Sequence, residues 1–177
     1  NSPAKPFGSN TSYSYGIMPT NLPNGVTYGK SQDAGNAYNA WKTKFVQTCS
    51  GKGARILYDD MSSTVSEGIA YGMLLAAYAG DKPLFDQLWQ FYKASVNGKG
   101  VMNWKYSSCT GISGYNGATD AELDAATALL VAEVQWPSST TPYDYKAEAV
   151  SLISKIRQYE IDQTSKQTLN GDAWTND

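Results

Sequence analysis

Thr64-Val65-Ser66-Glu67-Gly68-Ile69-Ala70-Tyr71-Gly72-Met73-Leu74-Leu75-Ala76-Ala77 is the stretch on which the fold is decided. From Ile69 to Ala77 every residue is apolar, aromatic or glycine. A helix from about Val65 to Ala79 is therefore apolar nearly all round and has to be buried. Asp120 to Gln135 repeats this type, with Ala125, Ala126, Ala128, Leu129, Leu130, Val131 and Ala132. Trp136-Pro137 stops it, because the residue before a proline is pushed out of the helical region.

The segments around these two are of another kind. From Asp33, the positions Ala34, Ala37, Tyr38, Trp41 and Phe45 form one helical stripe, with Cys49-Ser50-Gly51 as the expected end. Asp81 and Pro83 open a further helix, whose Leu84, Phe85, Leu88, Trp89 and Tyr92 make a stripe opposite Asp86, Gln87, Gln90 and Lys93. Tyr145 to Ile161 is again amphipathic, with Ala149, Leu152, Ile153 and Ile156 on one face. Amphipathic helices alternating with all-round apolar ones predict two layers, with few competing strand signals. If each inner helix follows an outer one, the inner helices run parallel and their N-termini gather at one end, where a site belongs. Residues 1 to about 30, rich in Pro, Gly, Asn, Ser and Tyr, read as an extended lead-in.

Composition narrows the chemistry. The 177 residues, 41% of them hydrophobic, suit one globular domain. A formal net charge of -2 and a pI near 5.1 give no basic footprint for nucleic acid, and no apolar run is long enough to span a membrane. With no histidine, His-based triads are excluded and a zinc site is disfavoured, so acid-base work falls to Asp, Glu, Tyr, Lys or Cys. Cys49 and Cys109 are too far apart for a redox motif and are expected to form a disulfide. That pairing, with 17% charged residues, points to an exported protein.

Both inner helices open on acids: Thr64-Val65-Ser66-Glu67 before one and Thr119-Asp120-Ala121-Glu122 before the other. Thr64 with Glu67 and Thr119 with Glu122 each match the capping box, a purely structural device. Asp120 is not a capping-box acid. Exposed N–H groups at a helix start favour an anion, so a proton donor there needs burial or a neighbouring carboxylate to keep its proton.

Three blocks carry a resemblance that shifts this balance: Thr64 to Met73 in the opening stretch, then Met102-Asn103-Trp104-Lys105, then Ala118-Thr119-Asp120-Ala121-Glu122-Leu123-Asp124. In order and spacing they resemble the catalytic domain of glycoside hydrolase family 8, which includes cellulases, lichenases, xylanases and chitosanases. The resemblance implies an all-α fold, an (α/α)6 barrel of six inner and six outer helices. About its first half would be present in 1–177, with helical hairpins over 31–177. It implies inverting cleavage of a β-1,4-linked glucan, with Glu67 as general acid and Asp120 holding the distorted sugar. Trp104 would be a stacking platform, and Tyr71 and Tyr115 further sugar contacts. Asp124, one turn beyond Asp120, is expected to be structural.

The implied chemistry uses two carboxyl groups about 6.5 to 9.5 Å apart, one protonated and one activating water, without metal or organic cofactor. The base is expected outside this chain, in the other half of the domain, present as further residues or a second chain. The Gly-rich run Gly111 to Gly117 lacks the GK[ST] ending of a phosphate loop and is expected to frame the cleft. Chitosan, xylan or mixed-linkage glucan are alternative substrates. A non-catalytic carbohydrate-binding helical module, with Glu67 and Asp120 merely starting helices, is the rival of another class.

Overall fold

The computed structural model describes residues 31–137 and 139–174, so the expected lead-in over 1–30 lies outside the described residues. Five helices are formed: α1 Ser31–Phe45, α2 Ser66–Ala79, α3 Lys82–Ala94, α4 Thr119–Gln135 and α5 Tyr145–Tyr159. Between them lie five short strands, β1 Val46–Cys49, β2 Gly53–Ile56, β3 Thr64–Val65, β4 Lys105–Tyr106 and β5 Ile112–Gly114. The first pair is an antiparallel hairpin and the other three form an antiparallel sheet in the order β3-β4-β5.

The helix expected to end at Cys49-Ser50-Gly51 in fact ends at Phe45. Val46 and Thr48 are β-branched and suit a strand, and Gly51 and Gly53 both take positive φ to turn the hairpin. Gly53 has a second constraint: a Cβ there would sit 2.1 Å from the Gln87 carbonyl oxygen, so the hairpin lies directly on α3. Likewise Gly111 to Gly117 is not simply a loop, because Ile112–Gly114 pairs with β4.

The two apolar helices, α2 and α4, make the most extensive helix pairing in the molecule. Hydrogen bonds at both ends fix them parallel. The Ser66 N–H at the start of α2 donates to the Trp104 carbonyl (2.9 Å), and the Trp104 N–H donates to the Asn116 carbonyl (2.8 Å), two residues before the N-cap of α4. At the far end, Gln135 Nε2 of α4 donates to the Ala77 carbonyl of α2 (2.9 Å). A small residue also lets α2 lie close to β2 and α3: a Cβ on Gly72 would come within 2.8 Å of Ile56 and 3.1 Å of Leu88.

Gly80, with φ of 70°, and the capping Asp81 reverse the chain from α2 into α3. Asp81 also binds Tyr38 (2.8 Å) and Lys42 of α1. On the other side Phe85 of α3 meets Trp136 and Tyr145 edge-on, and the Tyr145 hydroxyl donates to Asp86 (2.6 Å). Each such ring pair contributes about 0.5 to 1.5 kcal/mol beyond its burial. The Cys49–Cys109 disulfide ties the hairpin to the loop after β4 across a separation of 60 residues. Closing a loop of that size removes unfolded-state entropy that stabilises the fold by about 4 kcal/mol.

One stripe of the apolar helices is not covered. Leu123, Leu130 and Val134 on α4, and Tyr71 and Tyr78 on α2, are 43 to 81% exposed. Their spacings of seven and four residues place each set along a single helix face.

Candidate active site at the paired helix starts

The capping boxes expected at both helix starts do not form around Thr64 and Thr119. The N-cap residues are Val65 and Ala118, both extended and neither using its side chain. Thr64 lies one residue further out, where its hydroxyl donates to the Ile56 carbonyl (2.8 Å), and Thr119 lies inside the helix with its hydroxyl buried and unpartnered. In consequence the two openings align as Ser66-Glu67-Gly68 and Thr119-Asp120-Ala121. Glu67 and Asp120 each occupy the second residue of their helix.

Because α2 and α4 are parallel and joined at their N-ends through Trp104, the two acids stand at the same rim. Glu67 is half-buried and Asp120 exposed, and among the described residues neither carboxylate receives a hydrogen bond from the protein. Asp124 is partly buried on the next turn. Burial, and then the charge of Asp120, hold its carboxyl above the ordinary range.

Trp104 sits between the two helix starts. Its backbone joins them, and its side chain is 41% exposed. The indole packs on Gly114 of β5, where a Cβ would fall 2.4 Å from the ring. Any larger residue at position 114 displaces the ring. Asn103 pins the turn beside it: its Oδ1 accepts from the Asn116 N–H (3.1 Å), and its Nδ2 donates to the Ser95 carbonyl (3.2 Å). Tyr71, one turn after Glu67, is exposed, and so is Tyr115, next to Gly114. Two cavities lie away from this rim. One of 380 Å3 lies by Tyr38, Gly80 and Asp81 at the other end of α2, and one of 80 Å3 lies between α3 and α5.

Sequence reasoning took Glu122 for a cap and did not single out Glu160 or Asp172. All three carboxyls are buried directly beneath the start of α4. Glu122 Oε1 accepts from the Tyr92 hydroxyl (2.9 Å) and the Met102 N–H (3.2 Å), and its Oε2 accepts from the Ala118 N–H (3.1 Å). Asp172 accepts from the Gly117 N–H (2.5 Å) and Asn97 Nδ2 (3.0 Å) and pairs with Lys99 at 3.5 Å. The available signal was that Glu122 falls on the stripe of Ala125, Ala126 and Leu129, which faces the core. Among the described residues no group of His, Cys, Asp and Glu side chains could hold a metal ion, and no helix is long and apolar enough to cross a membrane.

The chain is similar to known proteins in sequence and in fold. The family model for glycosyl hydrolases family 8 matches residues 16–177. Endoglucanase 2 of Ruminiclostridium josui is 32% identical over 96% of this chain and 37% of its own length. A beta-glucanase of Niallia circulans is 35% identical over 99% of this chain and 44% of its own. Among solved structures, the apo beta-1,3-1,4-glucanase of Paenibacillus sp. X4 superposes with a TM-score of 0.81 at 32% identity, over 99% of this chain and 48% of that one. The chain thus spans less than half the length of these relatives.

Proposed function

Since the chain belongs to glycosyl hydrolases family 8, we propose that it forms part of an endo-acting, inverting β-1,4-glucanase that works outside the cell. Glu67 is the general acid that protonates the departing glycosidic oxygen, and Asp120 holds the sugar ring at the point of cleavage. Trp104 offers its exposed indole to the apolar face of a sugar ring, flanked by Tyr71 and Tyr115. The observation that carries this reading is the equivalence of Glu67 and Asp120, each the second residue of one of two parallel helices linked through the Trp104 backbone.

An inverting mechanism needs a second carboxylate to activate water on the far side of the ring. We assign that base to the part of the family domain that this chain does not span. The same part covers the exposed stripe of Leu123, Leu130, Val134 and Tyr78. An uncovered apolar wall of this kind calls for a partner surface.

Glu67→Gln in the protein with its whole catalytic domain tests the assignment. General acid catalysis contributes about 10²- to 10⁴-fold. Release of reducing ends from carboxymethyl cellulose should fall by about that factor while oligosaccharide binding persists, and retained turnover would defeat the assignment. The likeness to a beta-1,3-1,4-glucanase favours mixed-linkage glucan as the second reading. A higher kcat/KM on that polymer than on carboxymethyl cellulose would select it.

A further inference from the structure

Glu122 of α4 and Glu160, the residue that ends α5, are both fully buried and meet each other. Glu122 is satisfied by the three donors already described. Neither oxygen of Glu160 receives a hydrogen bond from any N–H or O–H among the described residues. Their contact is therefore a hydrogen bond only if one of the two keeps its proton. The site leaves little room to relax: a Cβ on Gly117 would lie 2.8 Å from Glu160 Oε1 and 2.8 Å from Val101.

The charges that face the pair do not neutralise it. Tyr92 comes from α3, Asp120 from the first turn of α4 and Asp172 from the segment after α5. The nearby cation is Lys99, which is paired with Asp172. Two buried carboxylates in contact without a cation of their own are strongly disfavoured, because burial strips both charges of water.

We propose that Glu122 and Glu160 are positioning residues that share one proton, and that this proton fastens the end of α5 to the start of α4 and to the turn that carries Trp104. Glu122 reaches that turn through the Met102 N–H and the start of α4 through the Ala118 N–H. Glu160 ties in the chain that follows it, through its own carbonyl and the Leu169 N–H. The positioning role rests on the reading of Asp120 and Trp104 as substrate contacts. The shared proton does not.

Titration follows the same logic. Burial first, then the charge of Glu160, pushes Glu122 up, and burial first, then the charge of Asp172, pushes Glu160 up. A carboxyl whose folded pKa is raised stabilises the fold fully below its unfolded value, near 4.5, and loses that contribution as pH climbs through the folded values. The unfolding equilibrium constant should thus rise with pH from about pH 5, about tenfold per pH unit for the one proton the pair keeps, until that proton leaves.

The test uses the protein with its whole catalytic domain. Infrared spectroscopy with ¹³C-labelled glutamate should show a neutral carboxyl at pH 7 that disappears in Glu160→Gln. That amide can donate to Glu122 permanently, so the variant should keep kcat within about threefold and lose the stability slope. Glu160→Leu, which matches the volume but cannot donate, should lower kcat by tenfold or more. Absence of the acid band, or an unchanged slope in Glu160→Gln, would overturn the shared proton. Wild-type kcat in Glu160→Leu would overturn the positioning role. Loss of the glucanase reading has its own signature, since activity surviving Glu67→Gln leaves the band and the slope untouched.

Discussion

The starts of α2 and α4 are alike in backbone and opposite in how they are anchored. Each opens on a hydroxyl residue, Ser66 or Thr119, followed by an acid, Glu67 or Asp120, and a small residue, Gly68 or Ala121. At the fourth helical residue they diverge, because α2 has Ile69 and α4 has Glu122, both fully buried. The start of α2 is held from outside, by β3 in the sheet and by the Trp104 carbonyl. The start of α4 is held from beneath, by a carboxylate that gathers three donors. The lesson is that equivalent positioning of two functional acids does not need equivalent support. A hydrophobic contact serves where a strand leads into the helix and a backbone carbonyl takes its first N–H, and a buried acid serves where no strand leads in.

Three experiments act on this contrast, in descending size of effect. Glu122→Ala strands a hydroxyl and two backbone N–H groups and leaves Glu160 without its partner. Breaking such a buried network costs about 3 to 5 kcal/mol, to be read from denaturant midpoints. Ile69→Ala removes only packing and should cost less, about 2 to 4 kcal/mol, with no change in the slope of stability against pH. Equal costs and equal pH slopes for the two variants would erase the distinction. The smallest effect belongs to the first residues of the two helices, whose Ser66 and Thr119 hydroxyls are both buried without a partner. Ser66→Ala and Thr119→Val should be neutral or stabilise by up to about 1 kcal/mol, because an unsatisfied polar group is removed. A loss above that size in thermal melts would show that these hydroxyls are satisfied in the folded protein.

Much of this architecture was legible because helix type is written in the distribution of apolar residues. All-round apolar Ile69 to Ala77 and Ala125 to Ala132 mark the central pair, and the striped segments mark their covers. The hairpin was not legible. Val46 follows Phe45 without a break in the apolar pattern, and what selects a strand is the seat of Gly53 on the Gln87 carbonyl, a contact between distant segments. The acids were legible as residues but not in register: Thr119 suggests a cap with Glu122 as its partner, whereas the cap is Ala118. That shift of one position puts Asp120 level with Glu67 and turns Glu122 into the core. Glu160 read as the last turn of an amphipathic helix, because its partner lies on another helix and nothing nearby in the chain announces burial.

An oligosaccharide-bound structure of the whole catalytic domain tests most directly whether Glu67 and Asp120 serve one substrate from two helices. The prediction is a sugar chain running over Trp104, with a glycosidic oxygen within about 2.6 to 3.2 Å of the Glu67 carboxyl and the adjoining ring held by Asp120. A chain bound elsewhere, or crossing this rim with neither acid in contact, would contradict it.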